Sequence, residues 1–350
     1  MSAPFSHTWL VRIERQHMRI VGLGLVSLDV LYEAGNGRVV FPTAGGTMAN
    51  VLTILSTLGW SATPIAKIGN DHPGRIVRED LTSFDVNCTF IDVDAATPTP
   101  IWIEYFDRIG ANGVPSHYYE RTCPICGGRL PSFTPPPTEL LTSAHSALAS
   151  ADIIFVDRVS PEIVACSAEA GRQGAIVMYE PGLVPALTES MVAMTAIANI
   201  LKYPDDSFPI LGTLPVRDGT VVIHTRGESG LRFRVAPGDW ISQDPSPTSR
   251  RVDVAGCGDW LSAGTLHVLF ERHQARRISA LIPGLDDALR RGQTLAAWSC
   301  AFAGARGGMY DADFDLIVPA WGTKRRDTFG PTRPHVSIDS KLICATCRAH

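Results

Sequence analysis

Apolar and polar positions along the chain fall into two rhythms. Short runs that are apolar throughout alternate with longer stretches whose apolar residues recur at helical spacing. The run MRIVGLGLVSLDVLY, residues 18–32, reads as one buried strand and its exit at Asp29. In GGTMANVLTILSTLGW two glycines precede a helix that Gly59 stops. ATPIAKIG then reads as a strand and HPGRIVREDLTSF as a helix with Pro73 in its first turn. The alternation returns with DIIFVD and a helix from Pro161, AIVMYE and a helix near Leu187, and NILKY. This order predicts an α/β fold with a mainly parallel central sheet flanked by crossover helices.

A stretch of different character interrupts it. TPIWIEYFD and SHYYER are aromatic and β-branched, and LPSFTPPPTE is a proline-rich connection. Residues 98–135 therefore read as a small β-rich lid inserted in a single domain spanning 1–350. GTVVIHTRGESGLRFRV predicts two strands joined by a glycine-bearing turn, and 256–275 and 285–305 read as helices. The segment from Trp321 is a polar, proline-bearing tail.

Composition narrows the function classes. The 350 residues are 45% hydrophobic and 19% charged, which is ordinary for a globular chain with a sizeable core. A net charge of −4 gives no nucleic-acid footprint, and no apolar run is long enough to span a bilayer. The N-terminal residues lack the compact apolar segment of a secretory signal, so a soluble cytoplasmic protein is expected.

Two constellations carry chemistry. In DVAGCGDWLSAG, 253–264, backbone N–H groups at Gly256, Cys257 and Gly258 precede a helix whose positive N-terminus suits phosphate oxygens. Asp259 would sit in that anion pocket as a base for an attacking hydroxyl. A glycine-loosened helix start capped by aspartates is the plainer alternative. The second constellation is a repeated C-x-x-C, at Cys123 and Cys126 in RTCPICGGR and at Cys344 and Cys347 in LICATCR. Four thiolates in two such pairs predict a closed structural zinc that staples the tail to the lid. A redox pair and two unrelated structural pairs are the alternatives. Cys88, Cys166 and Cys300 read as small apolar residues, and the ten histidines show no metal-like grouping.

Four stretches in order, together with Asp29, resemble the ribokinase-like sugar kinases of the PfkB family. AGGTMAN resembles the Gly-Gly-x-x-x-Asn substrate motif through Gly45, Gly46 and Asn50, and IGNDHPG resembles a further family segment at Gly69, Asp71 and Gly74. HTRGESG resembles the nucleotide segment through Thr225, Gly227 and Gly230, and DVAGCGDWLSAG the signature D-T-x-G-A-G-D. The resemblance spans roughly 18–310. It implies a ribokinase-like fold and ATP- and Mg2+-dependent phosphorylation of a hydroxyl on a small sugar. Asp259 would be the base, with Gly256, Cys257 and Gly258 as anion hole. Asp29, Gly45, Gly46 and Asn50 would bind substrate, and Thr225, Gly227 and Gly230 the nucleotide. Asp253 would lie near the metal or monovalent-cation region.

Three departures matter. Cys257 replaces an alanine, Met48 stands where a small residue near the substrate is preferred and would narrow or reshape that pocket, and KYPDDS replaces the N-x-x-E segment. Asp205 or Asp206 is then the candidate for organising magnesium through water. A nucleoside kinase, or a catalytically weak ligand-binding member of the fold, are the alternative functions. A lid with aromatic faces also suggests a homodimer.

Overall fold

The computed structural model describes residues 18–33, 38–109, 115–248, 250–273 and 277–310. Among these a nine-stranded sheet forms the centre, in the order β13-β12-β11-β10-β9-β8-β1-β4-β5. Its parallel part runs β11 (Val221–Thr225), β10 (Ile200–Pro204), β9 (Ile176–Tyr179), β8 (Ile153–Val156), β1 (Arg19–Leu23), β4 (Ser61–Gly69) and β5 (Ile91–Asp94). Neighbours among these strands pair in parallel. The antiparallel β12 (Leu231–Val235) and β13 (Ile241–Gln243) close one edge.

Strand parity explains why the sheet needs helices on both faces. Ile153 and Phe155 enter one core and Ile154 and Val156 the other, and β9 repeats the division with Ile176 and Met178 against Val177 and Tyr179. The first core is covered by α1 (Thr47–Thr57), α2 (His72–Ser83), α8 (Cys257–His273), α9 (Ile278–Leu281) and α10 (Leu285–Ser299). The second is covered by α3 (Thr138–Ser143), α4 (His145–Ser150), α5 (Pro161–Arg172), α6 (Glu189–Ile197) and α7 (Phe208–Leu211). No helix among the described residues is long and apolar enough to cross a membrane.

Gly59, at φ 91°, ends α1 as expected, and Asp71 caps α2 by accepting from the Gly74 amide at 2.9 Å. The first apolar run behaves differently from its reading as one strand. It breaks at Gly24 into β1 and β2 (Ser27–Glu33), which belong to different sheets. β2 joins β3 (Arg38–Gly45), β6 (Ile101–Ile109) and β7 (Pro115–Glu120) in a four-stranded second sheet, order β3-β2-β6-β7. Half of this sheet's strands come from residues 27–45, which lie outside the 98–135 expected for the β-rich insertion. A β-branched run does not reveal which sheet its second half will join, because that is decided by the partner strand at 101–109.

Candidate active site

The site lies beyond the carboxyl ends of the parallel strands, where β1 stands between β8 and β4 and the strand order reverses. Each strand end delivers a polar group there: Asp157 after β8, Glu180 after β9 and Lys202 within β10. All three are buried. Asp157 accepts from the Leu25 amide at 2.8 Å and from the Met48 amide at 3.0 Å. It therefore supplies the cap that Gly46, at the N-terminus of α1, has no side chain to provide. Burial raises its pKa despite the neighbouring Arg158. Lys202 shares the face of β10 that carries Ile200, so it points under α8. There it pairs with Glu180 and donates to the Gly258 carbonyl at 3.0 Å. Glu180 also accepts from Ser262 at 2.5 Å.

Above this layer α8 starts at Cys257. Gly256 adopts φ 69°, and a Cβ there would meet the Ala305 carbonyl oxygen at 2.4 Å, so close backbone approach demands glycine. The amides of the first turn of α8 have no acceptor within the helix and carry its positive end. The Cys257 amide turns back toward the Val254 carbonyl at 3.3 Å. Its thiol faces away from the turn, 3.2 Å from the Cys300 sulfur and 3.5 Å from Ser299. The bond to Cys300, together with burial, holds Cys257 protonated. Asp253 accepts from the Ala255 amide at 3.0 Å and the Gly304 amide at 2.7 Å, tying this turn to the one after α10.

Asp259, in the first turn of α8, is buried, and its Oδ2 accepts from Asn50 Nδ2 at 2.8 Å. Asn50 Oδ1 in turn accepts from Arg306 Nε at 3.0 Å. Arg306 is 2% exposed and is anchored by the Ala44 carbonyl at 2.6 Å and by Asp80. Burial alone would lower its pKa, but Tyr310, Asp80 and Asp29 reverse this and keep it charged. The relay Asp80–Arg306–Asn50–Asp259 fixes one carboxylate oxygen and leaves the other to the site. Burial, then the charge of Glu180, raises the pKa of Asp259 to about 8, against the opposing effects of Asn50 and Lys202. A base must be ionised to accept a proton. The rate of the reaction it serves is expected to climb with pH and level off above about 8. A kcat/KM profile that stays flat between about pH 6 and about pH 9 would contradict this.

The second sheet contributes further acids. Asp29 accepts from Ser27 at 2.8 Å, and burial lifts its pKa to about 6 while Ser27, Arg306 and the Gly46 backbone pull it down. A Cβ on Gly45 would fall 1.9 Å from the Asp29 carboxylate, and one on Gly46 would fall 2.5 Å from the Leu25 carbonyl oxygen. These two glycines are what lets the β3–α1 turn lie against Asp29. Tyr119 on β7 feels Glu104, Asp29, Asp253 and Asp259 together, so these four acids are grouped about one tyrosine. Burial first, then Asp253 and Asp29, raises the pKa of Glu104 far above the usual carboxylate range.

The structure thus sets Gly45 against Asp29 and Asn50 on Asp259, groups Asp29, Asp253 and Asp259 about Tyr119, and puts Gly256, Cys257 and Gly258 at the start of α8 beside Asp259, with the Cys257 amide turned to Val254. Thr225, Gly227 and Gly230 lie at the end of β11 and in the turn to β12. Gly227 takes φ 53° with open space where a side chain would stand. Gly230 is required for a different reason, since a Cβ would meet the Gln243 carbonyl oxygen at 2.2 Å. Met48 is a correction: its side chain is fully buried against Gly22 in the first core and does not reshape the pocket as expected. Asp205, 68% exposed at its side chain, is held by His224 Nε2 at 2.8 Å, while Arg232 donates to His224 Nδ1 at 3.0 Å. Asp206 is exposed in the same turn.

Cys344 and Cys347 lie outside the described residues. Cys123 is buried and Cys126 exposed in a tight turn, where the Cys123 amide donates to Gly128 at 2.8 Å and the Gly127 amide to Cys123 at 3.0 Å. Gly127 takes φ 70°. Among the described residues no group of three or more His, Cys, Asp or Glu side chains is placed to hold a metal ion. Sequence reasoning missed Asp157, Glu180, Lys202, Glu104 and Arg306. The first two each close an apolar strand run with a lone acid, a signal that was present in FVD and MYE.

A family model described as pfkB family carbohydrate kinase matches residues 36–209. A fructokinase from Klebsiella pneumoniae is 25% identical, over 75% of this chain and 88% of its own length. Among solved structures, a sugar kinase from Pyrococcus horikoshii in complex with ATP superposes with TM-score 0.62 at 19% identity, covering 88% of this chain and 96% of that one. Arabidopsis thaliana ribokinase complexed with ribose and ATP gives TM-score 0.59 at 16% identity, covering 83% and 95%. Aminoimidazole riboside kinase from Salmonella enterica gives 0.60 at 20%, covering 82% and 95%. These three establish a ribokinase-like fold.

Proposed function

The chain belongs to the pfkB family of carbohydrate kinases, ATP-dependent sugar phosphotransferases, and we propose that it phosphorylates one hydroxyl of a small neutral sugar with Asp259 as general base. The observation that carries this reading is the buried Asp259 carboxylate in the first turn of α8, held by Asn50 and raised to about 8. Oδ2 is engaged by Asn50, which leaves Oδ1 to take the acceptor proton. Asp29, beside Gly45 and Gly46, orients the acceptor hydroxyls. The Gly258 and Asp259 amides of α8 would face the negative charge that develops during transfer, while the Cys257 amide is taken by Val254, and Lys202 fixes the Gly258 peptide from below. ATP supplies the phosphoryl group and Mg2+ charge neutralisation, with the Gly227 turn and the acids Asp205 and Asp206 as the residues that would receive them.

A nucleoside acceptor is the second reading. Trp102 stands in register with Asp29 on the lid, where its ring could receive a base. ADP release measured against parallel panels of sugars and nucleosides separates the two readings. Selective turnover of nucleosides would replace the sugar by the second.

The reading includes a structural zinc on Cys123, Cys126, Cys344 and Cys347. Its support is the tight turn around Cys123 and Cys126, whose glycines let backbone fold under the thiols, together with the matching pair in the tail. Protein purified without added zinc is expected to hold about one zinc per chain, lost in Cys123→Ser and Cys347→Ser. Metal-free protein with accessible thiols would contradict this.

A further inference from the structure

Glu104 is the one charged residue in the apolar and aromatic stretch IWIEYF, and the catalytic scheme above gives it no task. It sits on β6, 2% exposed; its carboxyl is engaged by Asp253 and Tyr119, while its Oε1 meets no hydrogen-bond partner among the described residues. An acceptor buried without a partner is costly, and a ligand hydroxyl that reaches it removes that cost.

Strand register says where this carboxyl is. Asp29 pairs with Trp102 and Leu31 with Glu104 across β2 and β6, while Tyr119 faces Glu104 from β7. Side chains two residues apart share a face of a sheet, so Asp29 and Glu104 occupy the same face on adjacent strands. That face looks at the body of the protein. A Cβ on Gly304 would touch Leu31 at 3.5 Å and Phe41 at 3.7 Å, and the Gly304 amide donates to Asp253 at 2.7 Å. Glu104 therefore lies beside Asp253 and on the same face as Asp29, in the group of acids that includes Asp259.

We propose that Glu104 contacts the substrate directly, its Oε1 accepting a hydrogen bond from a second hydroxyl of the acceptor, and thereby sets which sugars are used. This rests on the kinase reading above. The ligand class that fits is a neutral polyhydroxylated sugar, because a carboxylate on the acceptor would be set against the acids grouped about Tyr119. A site built to pair a hydroxyl also rejects strongly the analogue that lacks it.

The experiment compares wild type, Glu104→Leu, Glu104→Asp and Glu104→Gln on D-fructose, D-ribose and their single-deoxy analogues, with KM measured separately for acceptor and ATP. Glu104→Leu is expected to raise the acceptor KM by about tenfold or more while the ATP KM stays within about twofold. Glu104→Asp, which withdraws the carboxyl by one methylene in a polar side chain, is expected to shift KM the same way even if the leucine variant folds poorly. Glu104→Gln, which keeps an acceptor at that position, restores most of the loss. One deoxy analogue that wild type uses poorly is expected to serve Glu104→Leu as well as its parent sugar does. Unchanged acceptor KM and an unchanged rank order of deoxy analogues in Glu104→Leu and Glu104→Asp would overturn the inference while leaving the kinase reading intact. A wild-type protein inactive on every acceptor, sugars and nucleosides alike, would overturn both.

Discussion

Asp259→Asn is expected to lower kcat on the order of 10³-fold while ATP binding and the fold persist. The substitution keeps an oxygen to accept from Asn50, so the relay through Arg306 survives and only the proton acceptor is lost. Stability gives an internal control. The pKa of Asp259 rises from 3.8 in the unfolded chain to about 8 in the folded one. Between these values the folded state holds the proton and the unfolded state does not, so stability falls as pH rises through the window. Asparagine removes this penalty, so the variant is expected to melt at a higher temperature than wild type at and above about pH 8. An inactive variant that is also less stable there would point to unfolding, and a fully active one would remove Asp259 from the chemistry.

Arg306→Met is expected to produce the largest loss of stability, roughly 3–5 kcal/mol by urea denaturation, because it strands a buried carboxylate. Asp80 holds Arg306 from a position almost as buried, with Tyr310 at 2.7 Å and the Ala44 amide at 2.9 Å as its other partners. Those two neutral donors cannot balance its charge once the guanidinium is gone. Asp80→Asn in the same background is expected to recover part of the loss, giving a double variant more stable than the sum of the single changes. Activity is expected to fall as well, since Asn50 loses the donor that orients it toward Asp259. Additive losses in the double variant would show that the two side chains do not form the pair.

The alternation of apolar runs and helical spacing made the parallel sheet legible, since each strand is buried on both faces and each crossover helix on one. The substrate and anion-hole motifs were legible as glycines in a local pattern: Gly46 and Gly256 are fixed by backbone that comes within van der Waals distance, and Gly45 by the Asp29 carboxylate. What the local pattern could not carry was partnership across the chain. Glu104 meets Leu31 across a register, Lys202 reaches Gly258 from beneath, and Arg306 holds Asn50 from far down the sequence. A buried charge is intelligible only with its partner, and these partners lie tens to hundreds of residues away. The split of the first apolar run between two sheets was hidden for the same reason, and Met48 turned into the core because Gly22 leaves room for its side chain.

The central claim is that Asp259 takes a proton from an acceptor hydroxyl during phosphate transfer from ATP. Phosphorus NMR of reactions containing ATP, Mg2+ and members of the sugar and nucleoside panels measures this most directly. Wild type is expected to form a phosphate monoester in equal amount with ADP, and Asp259→Asn to form almost none under the same conditions. ATP left intact with every acceptor, alongside tight binding of a small ligand, would contradict the claim and identify a ligand-binding protein on a kinase fold.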